Sequence, residues 1–274
     1  MNFTENAEIR ALTARLDDLT RRASKGELGV TPFLTPRELH IAREYLKRQG
    51  ALYAAFGGYP SAERQRLYLL PDYMEALSEG ENSDVEIDFE NKISEYGYST
   101  DITPLKITGS GYRHLTHRDF LGSVLGLGVE RSVVGDIVLL DNEGRTAAVF
   151  CDGTIAEFFL RELTLVANDK VKVAGVKISD VELPQRRTEQ IHDTVAAPRL
   201  DAVVAAVCNL SRDKARGTVT AGLVELDFET EERPDRTVSA PAILSVRGFG
   251  RYRVLSLSDK TRKGRYRLEA EKFI

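Results

Sequence analysis

The sequence predicts an α+β fold in three parts, and three observations predict it. Residues 1–80 open with apolar residues at helical spacing and a locally complete helix start, the mark of a mainly helical N-terminal domain. Residues 84–182 switch between strand and helix periods in the order β-α-β-β-α-β, and residues 195–274 carry two short helical patterns followed by strands, a small α+β module. A chain of 274 residues has room for two or three such units.

In the N-terminal part, Ile9, Leu12, Leu16 and Leu19 recur at helical spacing between Glu5 and Arg22. A second helix starts after Phe33-Leu34. There Thr35 caps the free amides, Pro36 suits the first helical position and Glu38 completes a capping box. Gly57-Gly58-Tyr59-Pro60 is a turn, and Ala62 to Arg66 opens a short polar helix or loop. The part ends in the polar stretch Ser78 to Asp84.

The middle part begins with an extended stretch ending at Ile107, then a helix from Thr116 to Leu127 and strands at Asp136 to Leu140 and Thr146 to Cys151. A helix over Ile155 to Leu163 and a strand near Val171 to Val176 complete it. Split β-α-β units of this order pack both helices on one sheet face and leave the other face free. RNA-recognition modules use such a face, but their paired stacking aromatics are not evident here.

After a polar hinge at Pro184-Gln185-Arg186-Arg187, Pro198 starts a helix with the stripe Leu200, Val203, Val204 and Val207, ending at Asn209. Ser211 caps a second helix running to Ala221, where Gly222 stops it. Arg212 and Arg216 share its outer face, with Lys214 close by. Leu223 to Phe228 reads as a half-buried strand and Ile243 to Leu257 as one or two more.

The net charge of -4 conceals a segregation of sign. Nine acids stand against Lys92 alone between Glu75 and Asp101, which reads as a solvated surface or linker. Between Ser245 and Arg267, eight bases stand against Asp259, where an even spread of the chain's 38 gives about 3. A basic cluster of this kind is the footprint of a phosphate-backbone partner, because neutralising phosphates releases condensed counterions. On a regular strand Arg247, Arg251 and Arg253 point the same way, while Gly248 and Gly250 let a phosphate approach the main chain. Arginine's planar fork of donors matches phosphate oxygens. Lys260, Arg262, Lys263, Arg265 and Arg267 extend the cluster. The competing reading is an edge strand protected by charge.

Other chemistries find little support. His117-Arg118-Asp119 looks like a kinase triplet, but Val124 occupies the place of the metal-binding Asn. With Thr116 as cap, His117 and Arg118 instead sit in the first turn of a helix, either reaching RNA or solvated. Gly109-Ser110-Gly111 is followed by His114 where a dinucleotide fingerprint needs glycine. Cys151 and Cys208 lie in apolar stretches without metal-ligand neighbours, so buried thiols are expected, with no metal and no cofactor. The longest clean apolar run, Ala202 to Cys208, is too short for a bilayer, and the polar start lacks a signal peptide's pattern; the expected compartment is the cytoplasm.

The segments Pro198-Arg199-Leu200-Asp201, Asn209 to Ala215 and Ser245 to Arg251 resemble the RNA-binding module of small-subunit ribosomal protein four. Nearly the whole chain resembles the YlmH family, through Phe33 to Glu38, Gly57-Gly58-Tyr59 with Ala62-Glu63-Arg64, and His117 to Gly128 leading to Gly135-Asp136-Ile137. The resemblance implies an N-terminal domain, a middle domain of RNA-recognition-like (ferredoxin-like) topology and a terminal module of the ribosomal protein four type. It implies RNA-facing roles for Arg199, Ser211, Arg212, Lys214, Arg216, Arg247 and Arg251, with the basic tail adding affinity. Where most relatives have Gly-Asp before the clamp strand, this chain has Pro241-Ala242.

The basic cluster leads to the expectation of a non-catalytic, monomeric binder of structured RNA with no membrane contact, and the resemblance implies that this RNA is ribosomal RNA, or tRNA, on the large subunit in ribosome-associated quality control. The other readings are an RNA-modifying enzyme with a delivery module, and a scaffold linked to photosystem II assembly or cell division.

Overall fold

The computed structural model describes residues 3–78, 89–184, 188–261 and 264–273, and the side chains of these except 3–6, 259 and 260. The chain folds as two compact units, Met1–Pro184 and Gln185–Ile274.

In the first unit, α1 (Phe3–Ala23) buries Leu12, Leu16 and Leu19 along one stripe. After β1 (Gly29–Val30) comes α2 (Pro36–Gln49), whose start is a full capping box: the Thr35 amide donates to Glu38 Oε2 at 2.7 Å and the Glu38 amide donates to Thr35 Oγ1. Leu39, Ala42 and Leu46 of α2 pack against the α1 stripe. β2 (Tyr53–Phe56) and β3 (Arg66–Leu69) pair with β1 in the antiparallel order β1-β3-β2. This part is therefore mixed rather than mainly helical. All four residues of β3 are buried, and a strand covered on both faces has no polar alternation to betray it. A 3-10 segment, Asp72–Leu77, precedes α3 (Phe89–Glu95), which buries Phe89 and Ile93 within the stretch read as acidic linker. Residues 79–88 of that stretch, and with them the expected 80–84 boundary, lie outside the described residues.

The same unit continues with β4 (Ile102–Gly109), α4 (His117–Gly126), β5 (Val134–Leu139), β6 (Thr146–Asp152), α5 (Gly153–Glu162), β7 (Leu165–Val166) and β8 (Asp169–Gly175). These strands form an antiparallel sheet in the order β5-β6-β4-β8-β7. Phe120 and Val124 of α4 and Ala156 and Phe159 of α5 pack with Leu105, Ile107 and Val149, so both helices cover one face. The opposite face is not free as the sequence suggested. Ile102, Ala148 and Phe150 are buried there against Phe33, Phe56 and Phe89, and the rings of Tyr59 and Phe150 stand 4.9 Å apart. The motif Gly57-Gly58-Tyr59 serves this joint: Gly58 has φ +99°, and a Cβ there would sit 2.5 Å from Phe150. Asp136 locks it, accepting from Tyr59 Oη at 2.6 Å and from the amides of Glu63 and Arg64 at 2.7 and 3.0 Å. Arg64, expected in a polar helix or loop, is buried and donates to the carbonyls of Phe33, Arg131 and Val134.

The second unit starts with β9 (Thr188–Val195), a polar edge strand just beyond the expected hinge, whose residues 185–187 lie outside the described residues. Then follow α6 (Leu200–Val207), α7 (Arg212–Thr220), β10 (Val224–Leu226), β11 (Glu229–Thr230), β12 (Ala242–Val246), β13 (Gly250–Lys260) and β14 (Tyr266–Phe273). The sheet order is β11-β10-β12-β13-β14-β9. One face carries Leu244, Val246, Tyr252, Val254 and Leu268, packed beneath α6 and α7 through Leu200, Val203, Val204, Ala215 and Val219. The Ala240–Pro241 peptide ahead of β12 is cis. Among the described residues, no helix is long and apolar enough to cross a membrane.

Candidate nucleic-acid interface

The cationic residues of the second unit fall into two groups set by the sheet. On the helix layer, α6 is apolar nearly all round, yet its first turn holds Asp201, whose side chain is 4% exposed. A buried carboxylate needs partners. It has two: Arg199 donates through Nε at 3.2 Å and Nη2 at 3.1 Å, and Arg212, at the start of α7, through Nη2 at 3.1 Å. Burial alone would push this carboxyl up, but the two guanidiniums hold it below the usual carboxylate range. The guanidinium-bearing side chains remain 43% and 48% exposed, so one anchored acid fixes two arginines with their remaining donors toward solvent. Ser211 is the cap of α7, its Oγ accepting from the Lys214 amide. Lys214 and Arg216 are exposed and form no ion pair among the described residues.

Two further arginines were not singled out by the sequence. The loop 233–237 lies against the start of α6, with the Leu200 and Asp201 amides donating to the carbonyls of Arg236 and Pro234. Arg233 and Arg236 are held there by Glu231, whose carboxyl is lowered to about 2, chiefly by the hydrogen bond from Arg233. The signal for Asp201 was present: an acid inside an apolar stripe and two residues from an arginine.

The segment from Arg247 departs from the expected regular strand. Val246 pairs with Gly250, and Arg247-Gly248-Phe249 form the turn of a hairpin, so Arg247 is not in line with Arg251 and Arg253. Gly248 at φ +86° permits that turn. The Arg247 amide donates to the Leu223 carbonyl at 2.9 Å, which sets the turn beside the end of α7. Arg251 and Arg253 pair across from Ser245 and Ile243, while their neighbours Tyr252 and Val254 enter the core. They thus face away from the helix layer, opposite Arg199 and Arg212. Arg253 lies over the Phe273 ring at 5.4 Å and across from Glu271.

Arg265 is engaged within the sheet, donating to Thr194 Oγ1 at 2.8 Å and to the Thr194 carbonyl. Lys260 ends β13, and Arg262 and Lys263 lie outside the described residues. His117 and Arg118 belong to the other unit, exposed in the first turn of α4 after a Thr116–Asp119 capping box. The structure therefore brings Arg199, Arg212, Lys214 and Arg216 onto one layer with Arg247 at its end, and puts Arg251 and Arg253 on the reverse face.

Cys151 is buried, which pushes its thiol up to about 12, and Cys208 is half-buried. Among the described residues, no group of His, Cys, Asp and Glu is placed to hold a metal ion.

The architecture defines a mixed α+β protein whose smaller unit presents an acid-anchored arginine pair on a helix layer. The chain is 31% identical over 243 residues to "Ribosome-associated protein quality control protein P2" of Bacillus subtilis (strain 168), spanning 89% of this chain and 86% of the relative. Residues 7–74 match the family model described as "YlmH, N-terminal", and residues 86–180 match "Putative RNA-binding domain in YlmH". The chain belongs to the YlmH family. A solved structure titled "Cell division protein ylmH from Streptococcus pneumoniae" is 20% identical, covering 67% of this chain and 97% of its own, with a TM-score of 0.47.

Proposed function

We propose that this protein is a non-catalytic, monomeric RNA-binding protein of the cytoplasm that acts on the large ribosomal subunit in quality control, gripping structured ribosomal RNA, and tRNA when present, with its C-terminal module. The observation that carries this reading is the arginine pair fixed by Asp201, with Lys214 and Arg216 exposed on the adjoining helix. Prepositioned guanidiniums bind phosphate without first losing their own side-chain freedom. The helix pair and five-strand run of the second unit support a module of the ribosomal protein four type, and the sheet order of the middle segment supports an RNA-recognition-like domain. The relative named for ribosome-associated quality control supports the setting.

The test is binding of a fluorescent hairpin from large-subunit RNA over a salt series, with co-sedimentation on large subunits. Five contacts, from Arg199, Arg212, Lys214, Arg216 and Arg247, give a log-log salt slope of about 4 to 5. Arg212→Ala and Arg216→Ala each flatten it by about one unit, while Arg253→Ala on the reverse face leaves it nearly unchanged. A salt-independent affinity, or equal losses from both faces, overturns the assignment.

A further inference from the structure

The most exposed large hydrophobic side chain described is Tyr112, at 97%. Lone exposed aromatics are common and need no explanation. This one differs in how its loop is held. Between β4 and α4, Ser110 donates to both oxygens of Asp169 through its amide and hydroxyl, and the Tyr112 amide donates back to Ser110 Oγ. On the other side, His114 Nδ1 lies 2.7 Å from the Glu143 carbonyl, and the Leu115 amide donates to the Gly144 carbonyl at 3.1 Å. The contact is too close for any other residue at 144, where a Cβ would meet the Leu115 carbonyl oxygen at 2.1 Å. A loop pinned at both ends presents the ring without an ordering cost on binding.

Two exposed arginines lie next to the ring along the chain, Arg113 in the loop and Arg118 in the first turn of the helix it leads into. Asp119 is held by the Thr116 cap, where Arg113 and Arg118 also favour its charged form, Asp169 is held by Ser110, and Glu143 pairs with Arg145 at 2.7 Å. Arg113, Arg118, Lys170 and Lys172 are exposed and form no ion pair among the described residues. Lys170 and Lys172 alternate with Val171 and Val173, which pack under the helices, so the two lysines face the other side of the sheet. The adjacent sheet-face groove is different, since Asp141, Asp180 and Glu182 line it beside Lys106 and would repel phosphate.

An exposed, preorganised ring beside exposed arginines is the combination that binds single-stranded nucleic acid, where bases stack on aromatics and cations follow the backbone. We propose that the loop 110–118 is a second RNA contact, in which Tyr112 stacks on an unpaired base and Arg113 and Arg118 take the flanking phosphates. This rests on the RNA-binding reading above and adds a ligand class, single-stranded RNA beside the structured element.

The experiment uses the full chain and two probes: a blunt RNA hairpin, and the same hairpin with a ten-nucleotide oligoadenylate tail. The tail raises affinity about tenfold, and Tyr112→Ala removes that gain while blunt-hairpin affinity stays unchanged. The chain has no tryptophan, so Tyr112→Trp supplies a single reporter; it keeps the gain, and its emission is quenched by the tailed probe alone. A tail without effect, or a gain that survives Tyr112→Ala, overturns the inference and leaves the module's phosphate grip standing. A loop that serves a protein partner gives that same overturning result. Failure of the wild type to bind even the blunt hairpin overturns both.

Discussion

Asp201→Asn separates two opposite expectations for RNA binding. If the carboxylate only repels phosphate, removing its charge strengthens binding; if it positions Arg199 and Arg212, removal weakens binding despite the gain of one positive charge. The structure favours positioning, because Asp201 accepts three charge-assisted bonds at 3.1 to 3.2 Å with its side chain 4% exposed. Asparagine keeps one acceptor oxygen and loses the charge. Buried charge-assisted bonds contribute about 1.5 to 3 kcal/mol. Since both arginine side chains are nearly half exposed and solvent screens them, the loss at Asp201 belongs near the low end, about 2 kcal/mol. For a unit of this size that lowers Tm by about 8 to 16 °C. The folded carboxyl lies below its ordinary value, so its stabilisation is complete above that value and disappears as pH falls through the folded one. The wild-type advantage in Tm should therefore shrink on acidification. Calorimetry over pH, paired with hairpin titration, measures both quantities. Unchanged Tm with tighter RNA binding would refute the positioning argument.

Asp136→Ala strips Tyr59, Glu63 and Arg64 of their shared acceptor, and urea unfolding should show a loss of about 2 to 4 kcal/mol in the first unit without altering hairpin affinity. Gly122→Ala, in the middle of α4 with nothing within 4 Å of the new Cβ, should stabilise by about 0.5 to 1 kcal/mol, whereas Gly144→Ala should destabilise markedly; thermal melts of the pair check both signs. Glu231, lowered from 4.5 to about 2, should contribute stability that is complete above about 4.5 and is lost as pH falls toward 2, so Glu231→Gln should differ from wild type at neutral pH and converge with it in acid.

Local chemistry was the readable part of this chain. Thr35 with Glu38, Thr116 with Asp119 and Ser211 with Lys214 are caps formed within four residues, and sequence spacing alone displays them. The middle strands and helices are half-buried, so their periods show. What stayed hidden depends on tertiary covering. β3 is buried throughout and has no alternation, and Arg64 looks like a surface residue until three carbonyls converge on it. In the basic segment the residue types were legible but not their directions, because a three-residue turn at Arg247 to Phe249 changes the register the strand pattern assumed. Asp201 was visible as a letter, and its partners two and eleven residues away became visible only when α6 and α7 packed.

The interlock at Asp136 and Phe150 bears on how such a chain can be divided. A fragment cut to residues 86–180 would keep Phe89 but lose Phe33, Phe56 and Tyr59 from over Ile102, Ala148 and Phe150, baring apolar surface on one side of its sheet. Such a piece would self-associate, and its measured RNA affinity would report on stickiness. Sequence-family boundaries and cooperative folding units are different partitions here, and dissection by deletion should respect the second.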